Sequence, residues 1–198
     1  MAVPALEQAT LVKELDFMEI KNTQCREYLQ STALLQKAFD LSVEEIKDIG
    51  EKIENGPEPP DEMTMLAMKQ DGLVIGSVVF YYLGQVQFGF MELITIREEY
   101  RNRGLGSHLY HEMIRILQKK HPELKAMVHE VQNRPENLER RKAFFLNQGA
   151  IPIDITFYRL PSVIKDSGLI FMVHPLKLGL IMNNETITRM FKNISAAI

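Results

Sequence analysis

Apolar residues recur at helical spacing, then at every second position, then at helical spacing again, and these changes of period divide the chain into elements. Residues 15–20 predict a first strand, and Thr23 stands as the cap of a helix carrying Tyr28, Leu29, Leu35 and Phe39. Ser42-Val43-Glu44-Glu45 has the form of a capping box, and Ile46, Ile49 and Ile53 follow on one helical face until Asn55-Gly56-Pro57 ends it. Residues 63–68, an Asp71-Gly72 turn, residues 73–82, a turn at Gly84 and residues 87–96 predict an antiparallel three-strand meander. Leu109, Tyr110, Met113, Ile116 and Leu117 then mark a helix that crosses to a strand at 126–131, expected parallel to the strand before it. A helix at 137–147, strands near 151–158 and 169–173, and a last helix at 184–194 complete the pattern. Ile187, Met190, Phe191 and Ile194 give that last helix one apolar stripe, to be packed on the domain or on a second copy in a homodimer. The expected fold class is mixed α/β, with a central twisted sheet of about six to seven strands flanked by helices.

Length and composition narrow the class of protein. At 198 residues and 45% hydrophobic content the chain suits a single domain, 1–198, with 176–198 as a C-terminal helical extension. A lone cysteine, Cys25, excludes an internal disulfide framework and a cysteine-cluster metal site, and no metal is expected. The longest apolar stretch, 73–83, is too short to span a bilayer, and the N-terminus lacks a basic segment followed by an apolar one. A soluble cytoplasmic protein without a membrane partner is expected. A net charge of -3 and a pI near 6.0 argue against a general nucleic-acid binder.

The most specific chemistry lies in Tyr100-Arg101-Asn102-Arg103-Gly104-Leu105-Gly106-Ser107, between an apolar strand and an amphipathic helix. Glycines at 104 and 106 let consecutive N–H groups, from Arg103 through Leu105 and Ser107 to His108, converge on an anion. Ser107 is the expected N-cap, the helix dipole adds to the attraction, and Arg101 and Arg103 supply mobile positive charge. A nucleotide P-loop is excluded because no Lys follows Gly106, and a dinucleotide fingerprint because Leu109 stands where a third small residue belongs. The plain alternative is a glycine-bearing turn with solvated arginines.

Glu92-Leu93-Ile94-Thr95-Ile96, followed by Arg97-Glu98-Glu99-Tyr100 and Arg101-Asn102-Arg103-Gly104-Leu105-Gly106, resembles the central motif of the GCN5-related N-acetyltransferase (GNAT) superfamily. The resemblance extends loosely over residues 10–175 and strongly over 91–116. It implies that the loop holds the pyrophosphate of acetyl-CoA as co-substrate. It also implies that Leu93, Ile94, Thr95 and Ile96 pair their backbone with the pantetheine arm, a ligand acting as an added strand. In many members a tyrosine in the late helix protonates the leaving thiolate; here Arg141-Lys142-Ala143-Phe144-Phe145 puts Phe145 at that place, expected to pack beside the coenzyme. Asn137 lies near where members place an asparagine against pantetheine, and helix capping explains it equally well.

Transfer of an acetyl group to an amine needs a base for the ammonium proton and a proton for the leaving thiolate. Glu92 is the first candidate base: it interrupts Phe88, Phe90, Ile94 and Ile96, expected to share its side of the strand, so an apolar setting should raise its pKa. A place at the sheet rim, or an ion pair with an arginine, is the structural alternative. Glu130 and His129 are second candidates, and strand alternation lets only one of them face the cleft. Tyr158 is the best-placed substitute acid, with a core tyrosine as its alternative.

The acceptor is expected to be a primary amine of a small molecule or peptide. Asp40, Glu44, Glu45, Asp48, Glu51, Glu54, Glu58, Asp61 and Glu62 against Lys47 and Lys52 suggest an acidic rim that would steer a cationic one, or else a solvated helix face. The alternative to an enzyme is a non-catalytic acyl-CoA-binding or protein-interaction module on the same fold, favoured by Phe145 and opposed by Glu92.

Overall fold

Asp71 and Gly72 both adopt positive φ, 52° and 75°, the two-residue mirror-image turn whose twist matches the strands it joins. That turn sets the central hairpin around which a computed structural model describes residues 14–57, 59–132, 138–154, 169–180 and 182–197. The strands are β1 (Asp16–Ile20), β2 (Glu62–Gln70), β3 (Leu73–Leu83), β4 (Phe88–Ile96), β5 (Ala126–Gln132), β6 (Ile151–Ile153) and β7 (Leu169–Pro175). The helices are α1 (Arg26–Phe39), α2 (Val43–Asn55), α3 (Leu105–Lys120), α4 (Leu138–Asn147) and α5 (Asn184–Ala197). All seven strands form one sheet in the order β1-β2-β3-β4-β5-β7-β6, antiparallel except where β5 lies parallel to β4. The mixed α/β class and the meander with its parallel crossover are as the hydrophobic pattern predicts.

Alternation along the strands divides the core in two. Met65, Ala67, Val79, Tyr81, Phe88, Phe90 and Val128 face α1, α2 and α5; Leu66, Met68, Phe80, Met91, Met127 and Met172 face α3 and α4. The stripe of α5 lies wholly on the first layer, with Ile187 and Met190 fully buried and Phe191 edge-on to Phe171 at 4.4 Å. The chain's own sheet therefore covers the stripe expected to pack on the domain or on a second copy.

Three local expectations are corrected. The N-cap of α1 is Cys25, whose sulfur accepts from the Tyr28 amide; Thr23 instead gives its amide and hydroxyl to Glu54, tying the start of α1 to the end of α2. The N-cap of α3 is Gly104, not Ser107, because the left-handed backbone at 104 (φ 75°) turns the chain into the helix three residues earlier. Finally, Phe88, Phe90, Glu92, Ile94 and Ile96 do not share one side. Val79 pairs with Leu93 and Phe80 with Met91, so Glu92 is the extra residue of a β-bulge and the alternation flips across it. Phe88 and Phe90 face α1 and α2, whereas Ile94 and Ile96 face α3.

The capping box of α2 forms as expected: Ser42 Oγ accepts from the Glu45 amide at 3.2 Å and Glu45 Oε2 from the Ser42 amide at 2.7 Å. Replacing Ser42 with Ala is expected to lower unfolding free energy by about 1 kcal/mol, measured by urea denaturation. An unchanged midpoint would show that tertiary packing alone holds this helix end.

Candidate functional site

Strand β4 is central in the sheet, yet Glu92, Leu93 and Ile94 in its middle are half exposed. The cause is a parting of strands. Parallel pairing between β4 and β5 runs from Phe88–Ala126 to Met91–His129 and stops, while β4 stays paired with β3 as far as Ile96 and β5 with β7 as far as Gln132. Beyond Met91, the edges of β4 and β5 that face one another have backbone groups without a strand partner among the described residues, and such groups are a template for an extended ligand. Leu93, Ile94, Thr95 and Ile96 lie along that edge, with Thr95 and Ile96 buried.

At the end of β4 a single 3-10 turn, Glu98–Tyr100, leads into the glycine loop. Asn102 and Gly104 both have positive φ, 60° and 75°. A Cβ at 104 would meet nothing within 4 Å, so this glycine serves the left-handed turn and leaves open space above it. Gly106 has a different reason. Its Cβ would stand 3.3 Å from the Phe144 ring, so its smallness lets α4 close against the start of α3. Among the described residues the amides of Arg103, Gly104, Leu105, Gly106 and Ser107 have no acceptor in the protein; the His108 amide does, donating to the Gly104 carbonyl as the first bond of the helix. His108 thus falls outside the set of free amides in which the sequence reading placed it.

The arginines of the loop are tethered, contrary to the expectation of mobile charge. Arg101 Nε donates to the Ile96 carbonyl at 2.9 Å, and an Arg103 guanidinium nitrogen donates to the Glu99 carbonyl at 2.9 Å with the group lying over the Tyr100 ring. These bonds fix the loop and still leave guanidinium donors exposed. Two neighbours, one in the next helix and one just past its end, escaped the sequence reading: Arg140 donates to Asn102 Oδ1 at 3.4 Å, and Gln148 donates to Ser107 Oγ at 2.9 Å. No short-range motif announces either, because both arrive from residues about 40 positions away.

Glu92 and Glu130 follow the last paired positions of their strands, and both lie on the α1/α2 side. Tyr81 donates its hydroxyl to Glu92 Oε2 at 3.2 Å. Burial holds the Glu92 carboxyl above the ordinary range, against the pull of the Tyr81 bond and the Lys52 charge. Burial, and then the charge of Glu92, push Glu130 up to about 7. Two carboxyl groups held above their ordinary range by burial, one of them raised further by the charge of the other, are suited to holding and passing a proton near neutrality.

His129 points the other way, as strand alternation requires. It is fully buried, its ring stacks on Phe145 at 4.6 Å, and its Nε2 is 2.8 Å from the Tyr110 hydroxyl. Burial and the neighbouring His174 pull its pKa down to about 3, so His129 is a neutral core residue and not a base in the carboxylate cleft. Phe145 is 5% exposed, packed between His129, Tyr110 and Phe144; of the two adjacent rings, Phe144 is the one against the glycine loop. Tyr158 and Asn137 lie outside the described residues.

The acids of the 40–62 segment are largely engaged within the protein. Glu45 closes the capping box, Asp48 pairs with Lys52 at 2.8 Å and Glu51 with Lys47 at 3.4 Å, Glu54 binds Thr23, and Asp61 accepts from the Gly84 amide. Their net field on an acceptor is smaller than their number suggests.

Comparison with known proteins gives the geometry a family. Residues 24–144 match the model of the acetyltransferase (GNAT) family. No curated protein matches the chain. Among solved structures, a GNAT-family protein from Bacteroides thetaiotaomicron superposes with a TM-score of 0.66 at 20% identity, covering 92% of this chain and 99% of its own. A GNAT-family acetyltransferase from Staphylococcus aureus superposes with 0.61 at 16% identity, covering 83% and 100%. N-acetylglutamate synthase from Neisseria gonorrhoeae, complexed with coenzyme A and N-acetyl-glutamate, gives 0.57 at 14% identity, covering 83% of this chain and 36% of its own. At these identities the structural likeness is one of fold, and it agrees with the family match. With its parted central strands leading into a loop of free amides, the chain belongs to the acetyltransferase (GNAT) family of acyl-CoA-dependent acyltransferases.

Proposed function

We propose that this protein transfers the acetyl group of acetyl-CoA to a primary amine of a small molecule or peptide, by direct attack and in a cytoplasmic setting. The observation that carries the reading is the row of amides from Arg103 to Ser107, without protein acceptors, at the head of the gap between β4 and β5. Five N–H groups and a helix N-terminus fit a diphosphate, and Arg101, Arg103 and Arg140 surround them with positive charge. The unpaired edge of β4 at residues 93–96 fits an amide-bearing chain laid beside it. The solved relative from Neisseria, which carries coenzyme A, supports the same choice of ligand.

When bound, acetyl-CoA supplies an activated thioester, so the protein's own work is positioning and proton handling. Glu92 accepts the ammonium proton. Its bulge turns the carboxyl into the cleft, and the Tyr81 hydroxyl fixes which oxygen is free. Glu130 faces the same space and is poised to pass that proton onward. A primary amine suits a cleft whose titrating groups are two carboxyls, and with most α2 acids internally paired we assign recognition of the amine to Glu92 and Glu130 rather than to an acidic rim. The binding-module alternative keeps one supporting feature, the ring of Phe145 that carries no hydroxyl.

Glu92→Gln is expected to slow amine-dependent thiol release by about 10²–10⁴-fold while acetyl-CoA affinity, followed by calorimetry, stays as in the parent protein. Thiol release equal to the parent at every pH removes Glu92 from the mechanism, and binding with no turnover across a broad amine screen favours the binding module. Arg101→Ala and Arg103→Ala should weaken coenzyme binding, more strongly at low than at high salt.

Linkage supplies a separate check on Glu130. A carboxyl that ionises near 4.5 when unfolded but at about 7 when folded makes the folded state the better proton binder between those values. Stability therefore falls as pH rises through that window, with the loss complete above it. Glu130→Gln should remove about 1–2 kcal/mol of that decline, after discount for partial exposure, and raise Tm at pH 8 relative to the parent. Parallel Tm-against-pH curves for the two proteins would show that Glu130 is not perturbed.

A further inference from the structure

The carboxylate cleft leaves one half of the chemistry unassigned, because the departing thiolate needs a proton and Phe145 has none to give. On the opposite face of β5 lies a hydrogen-bonded chain that the acid–base pair does not use. The Tyr110 hydroxyl sits between two imidazoles, 2.8 Å from His129 Nε2 and 3.0 Å from His174 Nδ1. These three residues come from α3, β5 and β7, with 64 positions between Tyr110 and His174. Tyr110 and His129 are fully buried. His174 is half-buried, and its Nε2 lies 3.4 Å from where a Cβ of the exposed Gly149 would stand, so this end of the chain reaches the surface turn after α4. At the inner end, His129 Nδ1 is buried with no hydrogen-bond partner among the described residues. His129 is also the last residue of β5 paired to β4 before the strands part.

Donor arithmetic makes this arrangement informative. A neutral imidazole has one N–H and one acceptor nitrogen, and a hydroxyl has one proton to give. Two orderings satisfy both bonds to Tyr110. In the first, His174 Nδ1–H donates to Tyr110, Tyr110 donates to His129 Nε2, and His129 carries its proton on Nδ1. In the second every donor is reversed, so His129 Nδ1 is bare and His174 carries its proton on Nε2. All three residues are neutral in both orderings. The orderings differ by one proton moved from the inner end to the surface end. A buried polar nitrogen without a partner costs free energy in either ordering, and that cost is relieved by a ligand atom that accepts from Nδ1 or donates to it.

We propose that His174, Tyr110 and His129 form a proton wire that protonates the leaving sulfur of the coenzyme. The inference rests on the acyl-CoA reading above. As the amine nitrogen bonds to the thioester carbon and the carbon–sulfur bond breaks, His129 gives its Nδ1 proton to the sulfur and takes the hydroxyl proton of Tyr110 on Nε2. Tyr110 takes the Nδ1 proton of His174, and His174 takes one from solvent on Nε2, where the second proton shed by the newly acylated nitrogen replaces it. One proton enters at His174, one leaves at His129, and no residue ends charged. His129 is the catalytic acid in this scheme, and Tyr110 and His174 are positioning residues that act through it. The wire works with neutral imidazoles, in keeping with the burial that disfavours their charged forms.

The test reads tautomers directly. Nitrogen-15 imidazole spectra of the full chain, assigned with His129→Gln and His174→Gln, are recorded alone, with coenzyme A, and with desulfo-coenzyme A, which lacks only the sulfur. The expected result is that coenzyme A moves His129 Nδ1 from the protonated to the unprotonated range and switches His174 with it, whereas desulfo-coenzyme A does neither. In Tyr110→Phe, with the ring kept and the hydroxyl gone, His174 should no longer respond. Binding of both ligands with identical His129 spectra overturns the wire and leaves the coenzyme reading standing. A His129 response without a His174 response in the parent protein also overturns the wire. Calorimetry showing that neither ligand binds overturns both readings together.

Discussion

Everything in the site depends on two parallel strands that stop pairing halfway. Main-chain N–H and C=O groups in the middle of a sheet are ordinarily satisfied by the neighbouring strand, and leaving them open is costly unless water or a ligand takes the place. Here β4 and β5 part after Met91 and His129, although both continue and keep their outer partners. The outer pairings hold the gap open, and three residues in the centre of the sheet gain access to solvent. A cleft built from backbone in this way is rigid, because closing it would mean moving five other strands.

The bulge at Glu92 makes the gap chemically useful. By inserting one residue opposite the Val79–Phe80 step, it changes which side chains face which helix layer and delivers a carboxyl to the cleft. The Tyr81 bond then orients that carboxyl, while burial and the charge of Glu92 raise the cost of ionising Glu130 on the facing strand. On the far side of β5 the same alternation sends His129 into the core, where it meets Tyr110 and Phe145. One strand therefore presents a buried carboxyl on one face and a hydrogen-bonded imidazole on the other, one residue apart.

The glycine-loop end is built from a different set of contacts. Arg101 and Arg103 spend one donor each on carbonyls of their own loop, which holds Asn102 and Gly104 in left-handed conformations and points the following amides outward. Phe144 of α4 and Gln148 just past its end brace the first turn of α3, through the space left by Gly106 and through the Ser107 hydroxyl. Preorganised donors of this kind need no rearrangement when an anion arrives, which is what makes them effective.

Local features were legible from residue order alone. The Asp71-Gly72 turn, the Ser42–Glu45 capping box and the helical periods of α1 to α3 are each decided by neighbours within about four positions, where dihedral preference and short-range hydrogen bonds act. The arginine–glycine loop was legible for the same reason, and with it the family. What only the tertiary structure decided involves partners distant in sequence: the bulge that splits the Phe88 to Ile96 series, the choice of Glu130 over His129 for the cleft, the approach of Arg140 and Gln148 to the loop, and the meeting of Tyr110 with two histidines. No local rule specifies these, because strand register and helix docking are settled by how whole faces pack. A shift of one residue in pairing turns every later side chain to the opposite layer.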